Sequence, residues 1–390
     1  MAYNPSVLRN VLKARSLTRA ALSDRLGITV ADLEDELQRE PEPGQGILND
    51  IAKELALPPF VFYMRETPPL HDILPDFRSA TPAPSAKSRS ATEAIQFAAS
   101  IQRAARESRA PGAAELPRFR TEREGKAVEN FALKVRSHFG ITVEDQLDAR
   151  DARSFYVLCR KKIEDKGIFV LHDSFPEADG SGFCLADDEY PVIVVNTKQQ
   201  TRARRLFTLI HELAHLLLRK SGISDPFVRH NSTEKLCNEF AGCFLVPEAY
   251  LPHLLSGINV TENPTPDFIA RVARRLKISQ QATVLRLEEL QIFAAGSHLN
   301  WLRAIHNLGN PDYSEKGGGA NGPPPQEKVK LAKYGFHFAA VFGALLRHDQ
   351  ISDINLFRLT GLKPKFQRTY FDYASSITNN ELQFLELDDD

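Results

Sequence analysis

Apolar side chains recur every three or four residues along most of this chain, and this spacing predicts a largely helical protein. The most regular segment is 202–220, whose apolar stripe consists of Phe207, Ile210, Ala214, Leu217 and Leu218. Gly222 follows as a helix stop. A second helix is predicted over 234–241, and short apolar runs at 168–171, 183–186 and 192–196 predict the strands of a small sheet.

The composition is typical of a folded protein that contains several domains. The chain has 390 residues, 42% hydrophobic content and a net charge of −1, so no overall field favours nucleic acid or a membrane as partner. The four cysteines form no close pair, which indicates reduced thiols. The start of the chain lacks a signal sequence, and the longest apolar stretch, 336–346, is too short to span a bilayer. We therefore expect a soluble, cytoplasmic protein.

The predicted helix 202–220 contains the pattern H-E-x-x-H at residues 211–215. Because residues four apart lie on one helix face, His211 and His215 can offer two imidazole nitrogens to one metal ion. Glu212 is turned about 100° from His211, so its carboxylate can stand beside the ion, within reach of water. Two ligands and a general base are the core of a zinc peptidase site. The alternative is a buried helix whose histidines are satisfied by hydrogen bonds.

A catalytic site of this kind needs a third protein ligand. Glu234, near the start of the second predicted helix, is the best candidate, and the rivals are Glu239 and His230. Asn238 lies one turn after Glu234 on the same face. It could bond the far nitrogen of a ligand histidine and thereby fix its tautomer. His230 is also a candidate for stabilising the oxyanion, although its loop cannot be placed from the pattern.

From about residue 126 to 293 the chain resembles the ImmA/IrrE-type metallopeptidases. The resemblance rests on segments in the following order: KGIFV at 166–170, PVIVVN at 191–196, RLFTLI at 205–210 running into HELAH at 211–215, EKLCNEFA at 234–241 and FLVP at 244–247. It implies a metal held by His211, His215 and Glu234, with Glu212 as the base. The family usually has alanine where this chain has Cys237, whose thiol either packs inertly or perturbs the site.

The resemblance implies a metal-dependent endopeptidase that uses Zn²⁺, with another divalent ion such as Mn²⁺ as the alternative. It also implies a specific protein substrate, a repressor or antitoxin-like regulator, cut in response to stress or to mobile-element signals. In zinc peptidases of this plan, an edge strand beside the metal pairs with the extended substrate. The strand at 192–196, with Val192, Ile193 and Val194, or its neighbour, is the candidate edge, and ordinary sheet packing explains the same run equally well.

The N-terminal region resembles the helix-turn-helix module of phage repressors, with a glycine turn at Gly27. The expected recognition helix, 29–37, carries Asp32, Glu34, Asp35 and Glu36 and no cation. Since carboxylates near phosphates are repelled, DNA binding by this module is disfavoured, and a role in protein contact or pairing is expected.

These observations predict a mostly helical α+β fold in four regions. They are an all-α helix-turn-helix bundle at 1–68, a linker with one helix at 69–125, a zincin-like peptidase domain at 126–295 and a helical region at 296–390. Two alternatives remain open. One is a DNA-binding regulator whose metal site is structural or sensory, and the other is a protein-interaction module with a silent peptidase core.

Overall fold

The structure is a computed structural model that describes residues 2–71, 73–77, 79, 83–110, 116–118, 126–224, 232–306 and 325–377. The helices in the first half of the chain are α1 Pro5–Ala14, α2 Arg19–Leu26, α3 Val30–Leu37, α4 Gln45–Glu54, α5 Arg89–Glu107, α6 Lys126–His138, α7 Val143–Asp148 and α8 Ala152–Glu164. The strands are β1 Phe169–Asp173, β2 Gly182–Leu185, β3 Val192–Asn196 and β4 Gly222–Ser224. Helices α9 Arg202–Leu217 and α10 Ser232–Leu245 lie on either side of β4 in sequence.

The remaining helices are α11 Leu251–Leu254, α12 Pro266–Leu276, α13 Gln280–Glu289, α14 Ser297–His306, α15 Gln326–Arg347, α16 Asp353–Thr360 and α17 Pro364–Ser376. Short 3₁₀ turns are present at Pro59–Tyr63, Glu177–Asp179 and Glu248–Tyr250. This architecture confirms the predicted mostly helical α+β fold with a small sheet.

The first four helices form a small bundle with its own hydrophobic core. Leu8, Val11, Leu33, Leu48 and Phe62 are among the buried side chains of this core. Gly27 ends α2 in the left-handed conformation, and Thr29 and Asp32 form a capping box that begins α3. The geometry is a helix, a glycine turn and a helix, as the sequence predicts. The helix-turn-helix assignment and its function stay predictions.

The sheet has the strand order β1-β3-β2-β4. β1 pairs with β3 in parallel, whereas β2 runs antiparallel to both β3 and β4. The prediction that Val192, Ile193 and Val194 form the edge is therefore wrong, because β3 has a neighbour on each side; of these two neighbours, β2 is interior and β1 is an edge strand. All five residues of β3 are buried, and a continuous apolar run is what an interior strand covered on both faces requires. The edge nearest the candidate site is β4.

A second, larger hydrophobic core crosses the region boundaries predicted at 125 and 295. It contains side chains from α5, from the sheet, from α9 and α10, and from α15 and α17. Ala98 and Ile101 of α5 are completely buried, as are Phe338 and Phe342 of α15. The helix within the predicted linker and much of the C-terminal region therefore pack with the predicted peptidase region as one unit.

Gly335 interrupts α15 and brings it against the end of α8. Its φ is +83°, and an added Cβ would lie 1.8 Å from the Glu164 carboxylate, so only glycine fits this position. Glu164 accepts a hydrogen bond of 3.0 Å from the backbone N–H of Phe336, and Arg160 donates to the Ala332 carbonyl at 2.7 Å. This buried network fixes α15 on the sheet.

Helix α15 is long and apolar enough, by length and composition alone, to cross a membrane. In this structure 61% of its most apolar window is buried inside the protein, mainly against β1, α8 and α17. The 336–346 stretch, which by itself is too short to span a bilayer, is part of this helix. A core helix passes the same test, and the packing of α15 is that of a core helix.

Candidate metal centre

Helix α9 places His211 and His215 one turn apart in the interior. The Thr201 side chain accepts a hydrogen bond from the Arg204 N–H and caps the start of the helix. Thirteen of its sixteen residues are buried, polar ones among them, as in a helix enclosed by other elements. Both imidazoles are fully buried, and their rings lie 4.9 Å apart between centroids.

Helix α10 brings Glu234 to the same point. Ser232 begins this helix, so Glu234 lies in its first turn, where a carboxylate is favoured by the helix dipole. Its two oxygens lie 3.2 Å from Nε2 of His211 and 3.0 Å from Nε2 of His215. The two Nε2 atoms are 3.1 Å apart. Three side chains of metal-ligating type therefore converge on one point.

The position of α10 depends on a buried arginine of α6. The guanidinium of Arg136 donates to the carbonyls of Phe244 at 2.8 Å and of Ile141 at 3.0 Å, and to the side chain of Gln146 at 2.9 Å. Arg136 is completely buried. These bonds fix the C-terminal end of α10 against α6 and α7, and they set the helix that carries Glu234.

Asn238 contacts His211 on the side of the ring that faces away from Glu234 and His215. Its Oδ1 accepts a hydrogen bond of 3.0 Å from Nδ1 of His211, which leaves the Nε2 lone pair of that ring directed at Glu234 and His215. The structure thus brings together Asn238 and His211, which the sequence predicts to be partners. The rival Glu239 is not in the cluster but lines a groove of about 890 Å³ together with Phe207, Lys235 and Asn238. His230 lies outside the described residues.

Glu212 points toward the sheet rather than into the triad. It is fully buried, and the Ser224 hydroxyl of β4 donates a hydrogen bond to its Oε1. Gly182 of β2 allows this approach, because an added Cβ there would lie 3.0 Å from the same oxygen and 2.9 Å from Thr208. Ser224 and Gly182 could not be recognised from the sequence, since neither lies in a motif.

The charges of the triad are coupled. Burial works against ionisation of Glu234, but His211 and His215 outweigh it and lower the pKa of the carboxyl to about 2. Burial likewise opposes protonation of His211, yet Glu234 and then Glu212 raise its pKa above the ordinary value. Burial lowers the pKa of His215. An ionised carboxylate therefore faces two imidazoles in a water-poor interior.

Cys237 lies one turn from Glu234 and is fully buried. Burial, reinforced by the carboxylates of Glu234 and Glu212, raises the pKa of its thiol well above the ordinary value. The thiol therefore stays protonated and packs as a small apolar side chain. Of the two interpretations that the sequence left open, inert packing is the one that this environment favours.

The donor set and its spacing fit a divalent metal ion. Four ligands held in a tetrahedron at about 2.0–2.1 Å from an ion are about 3.3–3.4 Å apart. The three separations here, 3.0 to 3.2 Å, are close to that value. Two imidazoles and one carboxylate are the protein ligands of one common class of catalytic zinc site. A bound cation would also offset the cost of burying the Glu234 carboxylate.

The outer edge of β4 is paired with another segment of the chain. The carbonyl of Pro75 accepts from the Ile223 N–H, and the Phe77 N–H donates to the Ile223 carbonyl, each at 2.9 Å. The Phe77 ring stacks on His215 with 4.9 Å between centroids and 22° between planes. The predicted linker thus reaches the candidate metal ligands themselves.

Residues 163–288 match the model of the family Peptidase_M78, described as the IrrE N-terminal-like domain. The match covers the triad, Glu212 and Asn238, and it confirms the resemblance drawn from the motifs. It implies a metallopeptidase-like function for this part of the chain. The N-terminal bundle lies outside the matched residues, and no curated protein matches the chain.

Proposed function

Because residues 163–288 are of the ImmA/IrrE metallopeptidase type, we propose that the protein is a metal-dependent endopeptidase that cuts one specific protein partner. The observation that carries this proposal is the convergence of His211, His215 and Glu234 beside the buried carboxylate of Glu212. Zn²⁺ is the proposed ion, and Mn²⁺ is the alternative. His211, His215 and Glu234 would hold it, with Asn238 fixing the tautomer of His211.

The chain supplies an oriented base for peptide hydrolysis. A bound divalent ion would polarise the scissile carbonyl and lower the pKa of water. Glu212 then takes a proton from the attacking water and passes it to the leaving amine. The Ser224 hydroxyl holds Oε1 of Glu212 on the sheet side, so the rotamer of the base is set by β4. Burial of the base excludes bulk water from the proton transfer.

The proposed substrate is a repressor or antitoxin-like regulator. The family resemblance supports this class, and the surface of the N-terminal bundle agrees with a protein contact. Asp35 of α3 is exposed, and Glu34 pairs with Arg19 at 2.9 Å, so that helix presents acid rather than cations. The same observation weighs against the alternative of a groove-reading DNA regulator.

Mass-spectrometric labelling of new protein N-termini tests this function even while the substrate is unidentified. The full chain is stripped with a chelator, one portion is reloaded with Zn²⁺, and both portions are incubated with an extract of the source cells. We expect new N-termini from one or very few proteins with the reloaded portion alone. The same N-termini with the stripped protein, or none with either portion, would contradict the proposal.

A further inference from the structure

The edge of β4 that borders the candidate site is bound by the chain itself. Asp76 bridges to Ile223 in parallel, and two main-chain hydrogen bonds of 2.9 Å join Ile223 to Pro75 and Phe77. β4 also carries Ser224, which bonds the carboxylate of Glu212. An extended segment on this edge therefore pairs with the strand whose Ser224 side chain holds the proposed base, Glu212. Main-chain pairing of this kind is how extended peptides bind an exposed sheet edge.

The Phe77 side chain occupies a specific surface next to the triad. Its ring stacks on His215 and covers Gly222, where an added Cβ would lie 2.2 Å from the ring. Phe77 is 6% exposed, so the contact is nearly complete. Gly222 thus leaves a flat recess whose other wall is the imidazole of a proposed metal ligand. Among the described residues of the segment, the aromatic ring of Phe77 thus makes the contact with His215 of the triad.

The segment is also clamped through the side chain of Asp76. The Asp76 carboxylate accepts from Nζ of Lys87 and from the hydroxyl of Ser85, each at 2.6 Å. Lys87 and Asp76 are both nearly buried, so this ion pair is shielded from solvent. The clamp holds Asp76, the chain neighbour of Phe77, in place.

The N-terminal bundle touches the same clamp. Arg25 of α2 donates to the Lys87 carbonyl at 2.9 Å, and Ser16 donates to the Pro84 carbonyl at 3.0 Å. The bundle and the covered edge of β4 therefore share one loop. A partner that displaces the bundle would therefore also disturb the contacts that hold Asp76.

We propose that residues 73–77 act as an internal competitor on the β4 edge, and that a protein substrate replaces them with an extended segment that has an aromatic side chain at the place of Phe77. This inference rests on the proposed function, since it assigns the substrate side of the same site. A tethered segment has an effective concentration in the millimolar range, so it outcompetes a weak free peptide. Displacement of the clamp would lower that advantage and admit the substrate.

Peptide binding tests the inference without requiring catalysis. A fluorescein-labelled peptide that copies residues 73–83 is titrated into the full chain, and fluorescence polarisation gives its affinity. We expect Phe77→Ala to bind the peptide at least about tenfold more tightly than the parent, because the internal ring no longer covers the recess. Lys87→Met, which leaves the recess and the segment unchanged but removes the ion pair of the clamp, should change the affinity in the same direction.

Phe60→Ala is the matched control, since Phe60 is 65% exposed and lies in the N-terminal bundle. Its peptide affinity should equal that of the parent. A second peptide with alanine at the place of Phe77 should bind the Phe77→Ala protein at least about fivefold more weakly than the first peptide. Equal peptide affinity of the parent, Phe77→Ala and Lys87→Met proteins would overturn the proposal, as would absence of binding to all three.

Hydrogen exchange at one amide gives an independent readout. The Ile223 N–H donates to the Pro75 carbonyl, so it should exchange faster in Phe77→Ala than in the parent. Unchanged exchange would overturn the proposal. Tighter peptide binding without any protein cleavage would support the internal competitor and contradict the peptidase function. Cleavage without a change in peptide affinity would contradict the competitor alone.

Discussion

Asn238 accepts a hydrogen bond of 3.0 Å from Nδ1 of His211, and this contact turns the other nitrogen of the ring toward Glu234. The proton of the imidazole is thereby assigned to the side away from the triad. Without Asn238 the ring could adopt the other tautomer or rotate. The side-chain amide of Asn238 on α10 thus orients the proposed ligand His211 on α9.

Asn238→Ala should lower the affinity for Zn²⁺ by about 10- to 100-fold, because a ligand histidine that loses its supporting acceptor is less well oriented. Competition against a fluorescent chelator measures this affinity. Asn238→Asp is the matched variant, since it keeps an acceptor at the same place and should retain more of the affinity than alanine. Parent-like affinity of the alanine variant would remove Asn238 from the site.

Glu234→Ala should lose the metal, whereas Glu239→Ala on the same helix should keep it. The first side chain is 3.0 Å and 3.2 Å from the two imidazole nitrogens, whereas the second is not in the cluster and lines the neighbouring groove. Metal content after dialysis against a mild chelator, determined by mass spectrometry, distinguishes them. Retention of metal by Glu234→Ala, with loss in Glu239→Ala, would reverse the assignment of the third ligand.

Protonation of His337 should make the fold less stable in mild acid. The side chain packs on the Phe169 ring, with 4.5 Å between centroids, and burial lowers its pKa to about 4. In the unfolded chain its pKa is about 6.5, so the unfolded state binds the proton first. The contribution of His337 is therefore complete above pH 6.5 and is lost as the pH falls toward 4.

Urea denaturation of His337→Gln and the parent at pH 7 and pH 5 tests this contribution. The free energy of unfolding should fall less on acidification in the variant, because glutamine does not titrate. His348→Gln, which changes an exposed histidine at the end of the same helix, is the control and should follow the parent. An equal acid-induced loss in His337→Gln and the parent would show that His337 is not the group responsible.

The full chain should show no sequence-specific binding to DNA at physiological salt. Helix α3 presents Asp35 to solvent, and its Asp32 and Glu34 are engaged in a capping box and an ion pair within the bundle. Carboxylates at this place oppose an approach to phosphate. Selection from a pool of random duplexes measures the specificity. Enrichment of one sequence, with affinity lost on changing bases rather than on adding salt, would favour the regulator instead.

Much of the site could be predicted because its determinants are local. The spacing of His211 and His215 requires only a helix, and Glu234 and Asn238 follow from the start of the next helix and its 3.6-residue period. The strand at Val192–Asn196 could be predicted with its observed bounds from a continuous β-branched run.

The features that could not be predicted depend on contacts between distant residues. β4 has three residues, too few for a periodic pattern, and it exists because Gly222 and Ser224 pair with β2. The pairing of Pro75 and Phe77 with Ile223 spans almost 150 positions of the chain and leaves no local pattern. Likewise, the continuous apolar run of β3 indicates that both of its faces are covered, but it does not show whether the strand has a neighbour on each side.

The central claim is that Glu212 serves as the base of a metal-dependent peptidase, and Glu212→Gln tests it most directly. Glutamine has nearly the same shape but cannot accept the proton of the attacking water. The measurement is the rate of cleavage of a partner found by N-terminal labelling, with metal content determined on the same samples. We expect equal metal content in variant and parent and a cleavage rate at least about 100-fold lower in the variant. Cleavage by Glu212→Gln at the parental rate would contradict the account.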